Sequence, residues 1–187
     1  VEQFSFTNEE EINNVEKEIN SHSEGVLTVS KIEKKQRSRN PTAPFRTSTM
    51  QQEASRKLRF SAQKTMITAQ KLYEGIDTGD GPIGLITYMR TDSVNLADDS
   101  ITEIRKFIVE NYGEENLPEK PKKYSSAAKN TQEAHEAIRP TSIDLSPEKI
   151  KKYLDDDQFS LYNLIWQRTL ASQMTPAIFD TVRADLL

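Results

Sequence analysis

Cysteine is absent from the 187 residues, which excludes a disulfide framework and any thiolate metal site and suits a reducing compartment. No apolar run approaches membrane-spanning length, and the N-terminal stretch lacks the charged and apolar regions of a signal peptide, so no membrane partner is expected. Glycine is scarce, at 6 residues, and none form a Walker loop or another glycine-rich phosphate cradle, so a nucleotide-driven reaction is not expected. Histidine occurs twice, too rarely for a histidine-rich metal site. Hydrophobic residues make up 35% and charged residues 29%, a polar balance for a free-standing globule. No internal repeat is visible.

What the chain does have is charge, unevenly placed. The net charge of −4 argues weakly against a nucleic-acid binder, but the average hides a basic block. Lys31, Lys34, Lys35, Arg37, Arg39, Arg46, Arg56, Lys57, Arg59, Lys64 and Lys71 are opposed between them only by Glu33 and Glu53. Such a block is either the footprint of a polyanion or a solvated basic face. The one dense acidic cluster, Asp155-Asp156-Asp157, precedes a helical pattern, where the helix dipole favours carboxylates. It is read as a helix start, and no metal site is expected.

The stretch that organises the chain is Gly84-Leu85-Ile86-Thr87-Tyr88-Met89-Arg90-Thr91-Asp92-Ser93. Turn residues Gly79-Asp80-Gly81-Pro82 stand before it, so it reads as a short strand with Tyr88 and Arg90 on one face. A phenol beside a fixed guanidinium is a way to build a nucleophile for a phosphodiester, since the arginine grips a non-bridging oxygen with two prongs. The spacing alone fits an ordinary half-buried tyrosine equally well.

Around this stretch, helices dominate. Thr7 and Glu10 form a capping box for a helix over about 8–21. Residues 25–32 read as a strand, with the polar run 33–39 an exposed extension or hinge, and Pro41 to Pro44 mark a boundary. Met50, Ala54 and Leu58 stripe one helix. A second, capped by Ser61, shows Ala62, Met66, Ala69 and Tyr73. A third starts at Ser93 or Asn95, turns Ile101, Ile104, Ile108 and Tyr112 inward and stops at Gly113. A long loop over 117–130 precedes a short helix over 131–138, ended by Pro140. Ser146-Pro147 opens another helical turn, and Phe159, Tyr162, Trp166 and Leu170 stripe the last helix. Residues 178–187 alternate as a strand. The expected class is α+β, mainly helical, with a helical domain inserted into a β platform.

Three strings in order give a resemblance covering about Pro44 to the end of the chain: Pro44-Phe45-Arg46-Thr47-Ser48-Thr49-Met50-Gln51-Gln52, the ten residues around Tyr88, and Gln132-Glu133-Ala134-His135-Glu136-Ala137-Ile138-Arg139-Pro140-Thr141. Together they resemble the type IA DNA topoisomerases, most closely the bacterial topoisomerase I branch. The resemblance implies that 1–43 and 175–187 belong to a β-rich arch domain and that 44–174 is the inserted helical domain. It implies that Tyr88 is a nucleophile forming a 5′-phosphotyrosine link, that Arg90 stabilises the transition state, and that His135 contacts the scissile phosphate region, held by a carboxylate such as Asp92. Thr87, Thr91 and Asp92 would meet the DNA strand, with Ser48, Thr49 and Gln52 assisting. Arg139 is either a phosphate contact or an ion-pair partner.

The same resemblance implies an ATP-independent isomerase that relaxes negative supercoils. Its partners would be single-stranded or negatively supercoiled DNA and the rest of a parent topoisomerase chain. Its place would be the bacterial cytoplasm, at the nucleoid. Mg²⁺ would be bound by a domain absent from this chain, so the sequence reads as a fragment that is inactive alone and needs no cofactor of its own. Two other readings stay open: a non-catalytic single-strand DNA-binding module, using the basic block and aromatics, and a protein-interaction domain, using the acidic ends.

Overall fold

The computed structural model describes residues 8–23, 26–79, 81–124 and 136–186. The chain forms two compact units, one of Val1–Ser38 with Ile178–Leu187 and the other of Arg39–Ala177.

In the first unit, helix α1 spans Glu9–Ser23. Asn8 caps it, its side-chain oxygen accepting from the Glu11 N–H at 2.9 Å. Thr7, the expected cap, lies outside the described residues. Strand β1, Val29–Arg39, pairs with β4, Ala177–Leu186. The expected strand therefore begins later and runs on through the polar residues, which are ladder members and not a hinge. Ser30 Oγ donates to Asp185 O and Thr181 Oγ1 to Lys35 O, so the two strands run in opposite senses. Alternation then puts Lys31, Glu33, Lys35 and Arg37 on one face of β1. No residue of α1, β1 or β4 is buried.

The second unit carries the core. Helices α2 (Thr47–Leu58) and α3 (Ala62–Glu74) are followed by a small antiparallel hairpin of β2 (Ile76–Asp77) and β3 (Pro82–Ile83). Then come α4 (Asp98–Tyr112), the short α5 (Pro147–Ile150) and α6 (Asp156–Ser172). Ser61 caps α3 by accepting from the Lys64 N–H, as its residue type predicts. Met50, Ala54, Ala69, Leu72, Ile108, Leu161 and Ile165 interlock in the middle. Trp166 meets Phe107 edge-on at 5.6 Å. Both polar aromatic tips in α6 are satisfied: Tyr162 Oη donates to Leu145 O at 2.7 Å and Trp166 Nε1 to Ile143 O at 2.9 Å.

An ionic seam joins α2 to α6. Glu53 meets Lys57 at 3.2 Å and Arg168 at 3.8 Å, and also pairs with Arg56. The Arg168 guanidinium lies 4.5 Å over the Phe45 ring. Burial works against the Glu53 carboxylate, but the Lys57 hydrogen bond and the nearby Lys57, Arg56 and Arg168 charges outweigh it and hold its pKa below the usual carboxylate value.

Three local expectations are corrected. The run around Tyr88 is not a strand: its one β-bridge is Ile86 with Pro140, because its backbone groups go to several different partners. The third helix starts at Asp98 and not at Ser93 or Asn95. The Thr91 hydroxyl accepts from Ser93 N and the Ser93 hydroxyl from Asn95 N, so side-chain turns hold this stretch out of helix. Of the expected short helix, 131–135 lie outside the described residues and 136–138 are extended, Ile138 N–H donating to Phe45 O at 2.7 Å.

Candidate active site

The segment carrying Tyr88 is fixed from its first residue. A Cβ added to Gly84 would lie 2.8 Å from the Tyr73 carbonyl oxygen, so glycine is required for this close approach to the end of α3. Leu85 N–H then donates to Leu72 O at 2.7 Å and Leu85 O accepts from Thr141 N at 3.0 Å. Thr87 is engaged three times: its N–H donates to Arg139 O at 2.9 Å, its hydroxyl donates to Ala137 O at 2.7 Å, and that hydroxyl accepts from Arg139 N at 3.0 Å. Beyond Tyr88 the partner changes to the first turn of α2. Thr47 Oγ1 donates to Met89 O at 2.7 Å and accepts from Thr91 N at 2.9 Å. Leu85, Ile86 and Met89 are buried beneath.

On this fixed backbone, exposure alternates. Tyr88, Arg90 and Asp92 are exposed, while Met89, Thr91 and Ser93 are buried. From Tyr88 to Ser93 exposure therefore alternates residue by residue, although the chain bends at Thr87, Met89 and Arg90 and no sheet ladder continues through it. Tyr88 is 43% exposed. Its ring meets Tyr73 edge-on at 5.4 Å, with the planes at 63°. Neither Arg90 nor Asp92 bonds to another described residue. The result is an open, polar surface on which a phenol and a guanidinium are both exposed. A cavity of about 300 Å³ between Val94, Asp98, Lys122 and Gln173 includes neither. An open surface of this kind suits a polymer more than an enclosed small molecule.

The remaining candidates are placed differently. His135 lies outside the described residues. Thr91 is buried, its hydroxyl accepting from Ser93 N. Ser48 is half-buried and Gln52 exposed on α2, while the Thr49 hydroxyl accepts from Arg46 N and donates to Arg46 O, closing the helix start. The Arg139 guanidinium grips Glu136 through Nε and Nη2, the latter at 2.8 Å, and donates through Nη1 to Pro140 O. Glu136 in turn accepts from Ala97 N at 2.6 Å, at the head of α4, where a carboxylate also complements the helix dipole. Arg139 and Glu136 thus form an ion pair that also ties residue 136 to the head of α4.

Residue-type reasoning passed over Thr47, Tyr73 and Glu136. Thr47 and Glu136 sit inside the quoted strings, yet a threonine and a glutamate carry no mark of what they bond to.

Among the described residues no three carboxylate or histidine groups cluster as metal donors. The acidic triplet is otherwise engaged. Asp155 caps α6 by accepting from Gln158 N at 2.7 Å, and Asp157 pairs with Lys64 at 2.7 Å. A Mg²⁺ ion, which needs several oxygen donors in near-octahedral array, does not fit these groups.

A family model for DNA topoisomerase matches residues 1–187. DNA topoisomerase 1 of Rickettsia felis is 53% identical over 186 residues, covering 100% of this chain and 24% of the relative. That of Xylella fastidiosa strain Temecula1 is 50% identical, covering 99% of this chain and 23% of the relative. Among solved structures, full-length topoisomerase I from Thermotoga maritima superposes with a TM-score of 0.75 at 41% identity, covering all of this chain and 28% of that one. The chain thus spans about a quarter of the length of the curated relatives it matches. No helix among the described residues is long and apolar enough to cross a membrane. With a mainly helical α+β fold that superposes on a topoisomerase I and a family match along its whole length, the chain belongs to the bacterial topoisomerase I family of type IA DNA topoisomerases.

Proposed function

We propose that this chain is the nucleophile-bearing part of an enzyme that breaks and rejoins one DNA strand. Tyr88 Oη gives up its proton to solvent, attacks a phosphodiester of a single strand and bonds to phosphorus. The bond to the 3′ oxygen breaks, that oxygen takes up a proton, and the DNA is held as a 5′-phosphotyrosine. After strand passage the 3′ hydroxyl attacks phosphorus, loses its proton and releases Tyr88. No net bond is consumed, so no nucleotide is needed. Relaxation of negative supercoils follows from repeated rounds.

Arg90 stabilises the charge that builds on the phosphoryl oxygens, the electrostatic contribution that usually dominates such steps. A guanidinium serves better than an ammonium because its fork matches two oxygens. His135 is assigned to the scissile phosphate region, with Asp92 as its carboxylate. Thr91, Ser48, Thr49 and Gln52 are assigned to the strand. The Thr87 hydroxyl and the Arg139 guanidinium already bond within the protein, which favours their acting through the position of Tyr88. Residues 1–43 and 175–187 are assigned to the β-rich arch, and Mg²⁺ to another domain of the parent enzyme, which would work at the nucleoid in the cytoplasm.

One observation carries this reading: the alternation that exposes Tyr88, Arg90 and Asp92 on a backbone held at both ends. The test is to trap the full-length parent enzyme on labelled single-stranded DNA and map the adduct by mass spectrometry. An adduct on Tyr88, absent in Tyr88→Phe while DNA binding persists, is expected. An adduct on Tyr73 or Tyr112 would overturn the assignment. Unchanged binding with no adduct in the wild type would favour a non-catalytic single-strand binder, for which the exposed basic residues of β1 are the supporting observation.

A further inference from the structure

We infer that Thr47, at the start of α2, is a positioning residue that sets Arg90 relative to Tyr88 through a single hydroxyl. The inference rests on the reading of Tyr88 and Arg90 given above and adds to it the group that aims the arginine.

Thr47 is the first residue of α2, where helix N–H groups lack intrahelical partners. Its own N–H donates to Thr91 O at 2.9 Å. Its hydroxyl proton goes to Met89 O at 2.7 Å, with Thr91 O a second acceptor at 3.1 Å. The hydroxyl oxygen accepts from Thr91 N at 2.9 Å. Both halves of one hydroxyl are therefore engaged by the peptide groups on either side of Arg90. Residue 90 itself is exposed and bonds to no other described residue, so its direction is set by its flanks. Met89 is fully buried and Thr91 nearly so, which leaves the backbone between them two anchors below and one hydroxyl beside it.

The opposite side of Tyr88 uses the same device. Thr87 Oγ1 donates to Ala137 O and accepts from Arg139 N. The nucleophile thus stands between two threonine clasps, one local to the segment and one reaching it from 42 residues away. Loss of the distant clasp would leave Tyr88 held by Thr87 and Met89 and free the Arg90 backbone. That separation makes the role testable, because the variant should lose phosphate alignment without losing the nucleophile.

A threonine-to-valine change keeps shape and removes the hydroxyl. In the full-length enzyme, Thr47→Val should lower single-turnover cleavage of an oligonucleotide by about tenfold or more, the scale on which small misplacements of a catalytic group act. Affinity for the same oligonucleotide should stay within about twofold, and Thr47→Ser should restore cleavage to within about threefold, because it keeps the hydroxyl. In an Arg90→Ala background the same Thr47→Val change should cost little, since residues acting through one another are not additive. Cleavage by Thr47→Val at the wild-type rate would overturn the inference. So would a full additional loss in the Arg90→Ala background, or a Thr47→Ser variant as slow as Thr47→Val, each of which would mark the residue as merely structural. If Thr47→Val does not fold, judged by circular dichroism, Thr47→Ala takes its place under the same criteria. An adduct that survives Tyr88→Phe would instead remove the underlying reading, a result independent of the Thr47 series.

Discussion

The Tyr88 segment and the β1–β4 ribbon both expose charged side chains, yet they are built in opposite ways. In the segment, side chains alternate between fully buried and open, and backbone groups on either side of Tyr88 are tied to other elements. In the ribbon no residue is buried and the cross-strand pairing is with one partner alone. A group that must meet a phosphorus atom in line tolerates little displacement. A lysine that attracts a polyanion acts through a field several ångströms deep and tolerates much. The contrast suggests rigid backbone for chemistry and a loose, charged ribbon for attraction.

The strongest way to break this comparison is at Arg90. Replacement by lysine keeps the charge and removes the planar fork. Single-turnover cleavage by the full-length Arg90→Lys enzyme should fall by about tenfold or more, with affinity little changed. Wild-type cleavage by that variant would mean that charge alone suffices, and the segment would then differ from the ribbon only in packing.

A smaller effect is expected on the ribbon. Lys35→Ala with Arg37→Ala removes two positive charges from one face of β1. If both meet phosphates, the slope of log affinity against log salt should flatten by about 1.4 for single strands, at about 0.7 per contact. The loss should show as weaker binding, overcome by adding DNA. A lower cleavage rate at saturating DNA would instead show that the ribbon shares in positioning.

The smallest expected effect tests the ionic seam below the segment. The pKa of Glu53 is lowered in the folded protein. Its contribution to stability is therefore fully present above the ordinary glutamate value, about 4.3, and is lost as pH falls through the lower folded value. Glu53→Gln should flatten the acid side of a melting-temperature profile below about pH 4 while leaving Arg168 without its carboxylate at neutral pH. An unchanged acid profile would show that Glu53 is screened by solvent.

Much of this was legible from residue order. Ser61 and the Ser146-Pro147 pair marked helix starts, Gly113 an end, and periodic apolar positions the inward faces of α2 and α6 and of α4 up to Ile108, because capping and periodicity act over three or four residues. The α3 stripe was misplaced: Ala62 and Tyr73 are exposed, as is Tyr112 at the end of α4, and Thr65, Thr68 and Leu72 join Ala69 on the buried side of α3. That Tyr88 and Arg90 would both be exposed was legible too, since the apolar Met89 between them takes the buried position. The absence of a ladder there was not, because a strand is defined by its neighbour: Leu85 and Thr87 bond to the segment 139–141, but Met89 turns to Thr47 on α2. Nor did Arg139 disclose that its ion-pair partner is Glu136, three residues before it, across a 2.8 Å contact.

By itself the sequence determined the family, the helical pattern and the identity of the exposed phenol and guanidinium, all of which follow from local order and side-chain chemistry. Only the tertiary structure decided what holds them. Thr47 and Met89 lie far apart along the chain, and a threonine hydroxyl acquires a role only when folding brings a carbonyl and an N–H to both sides of it.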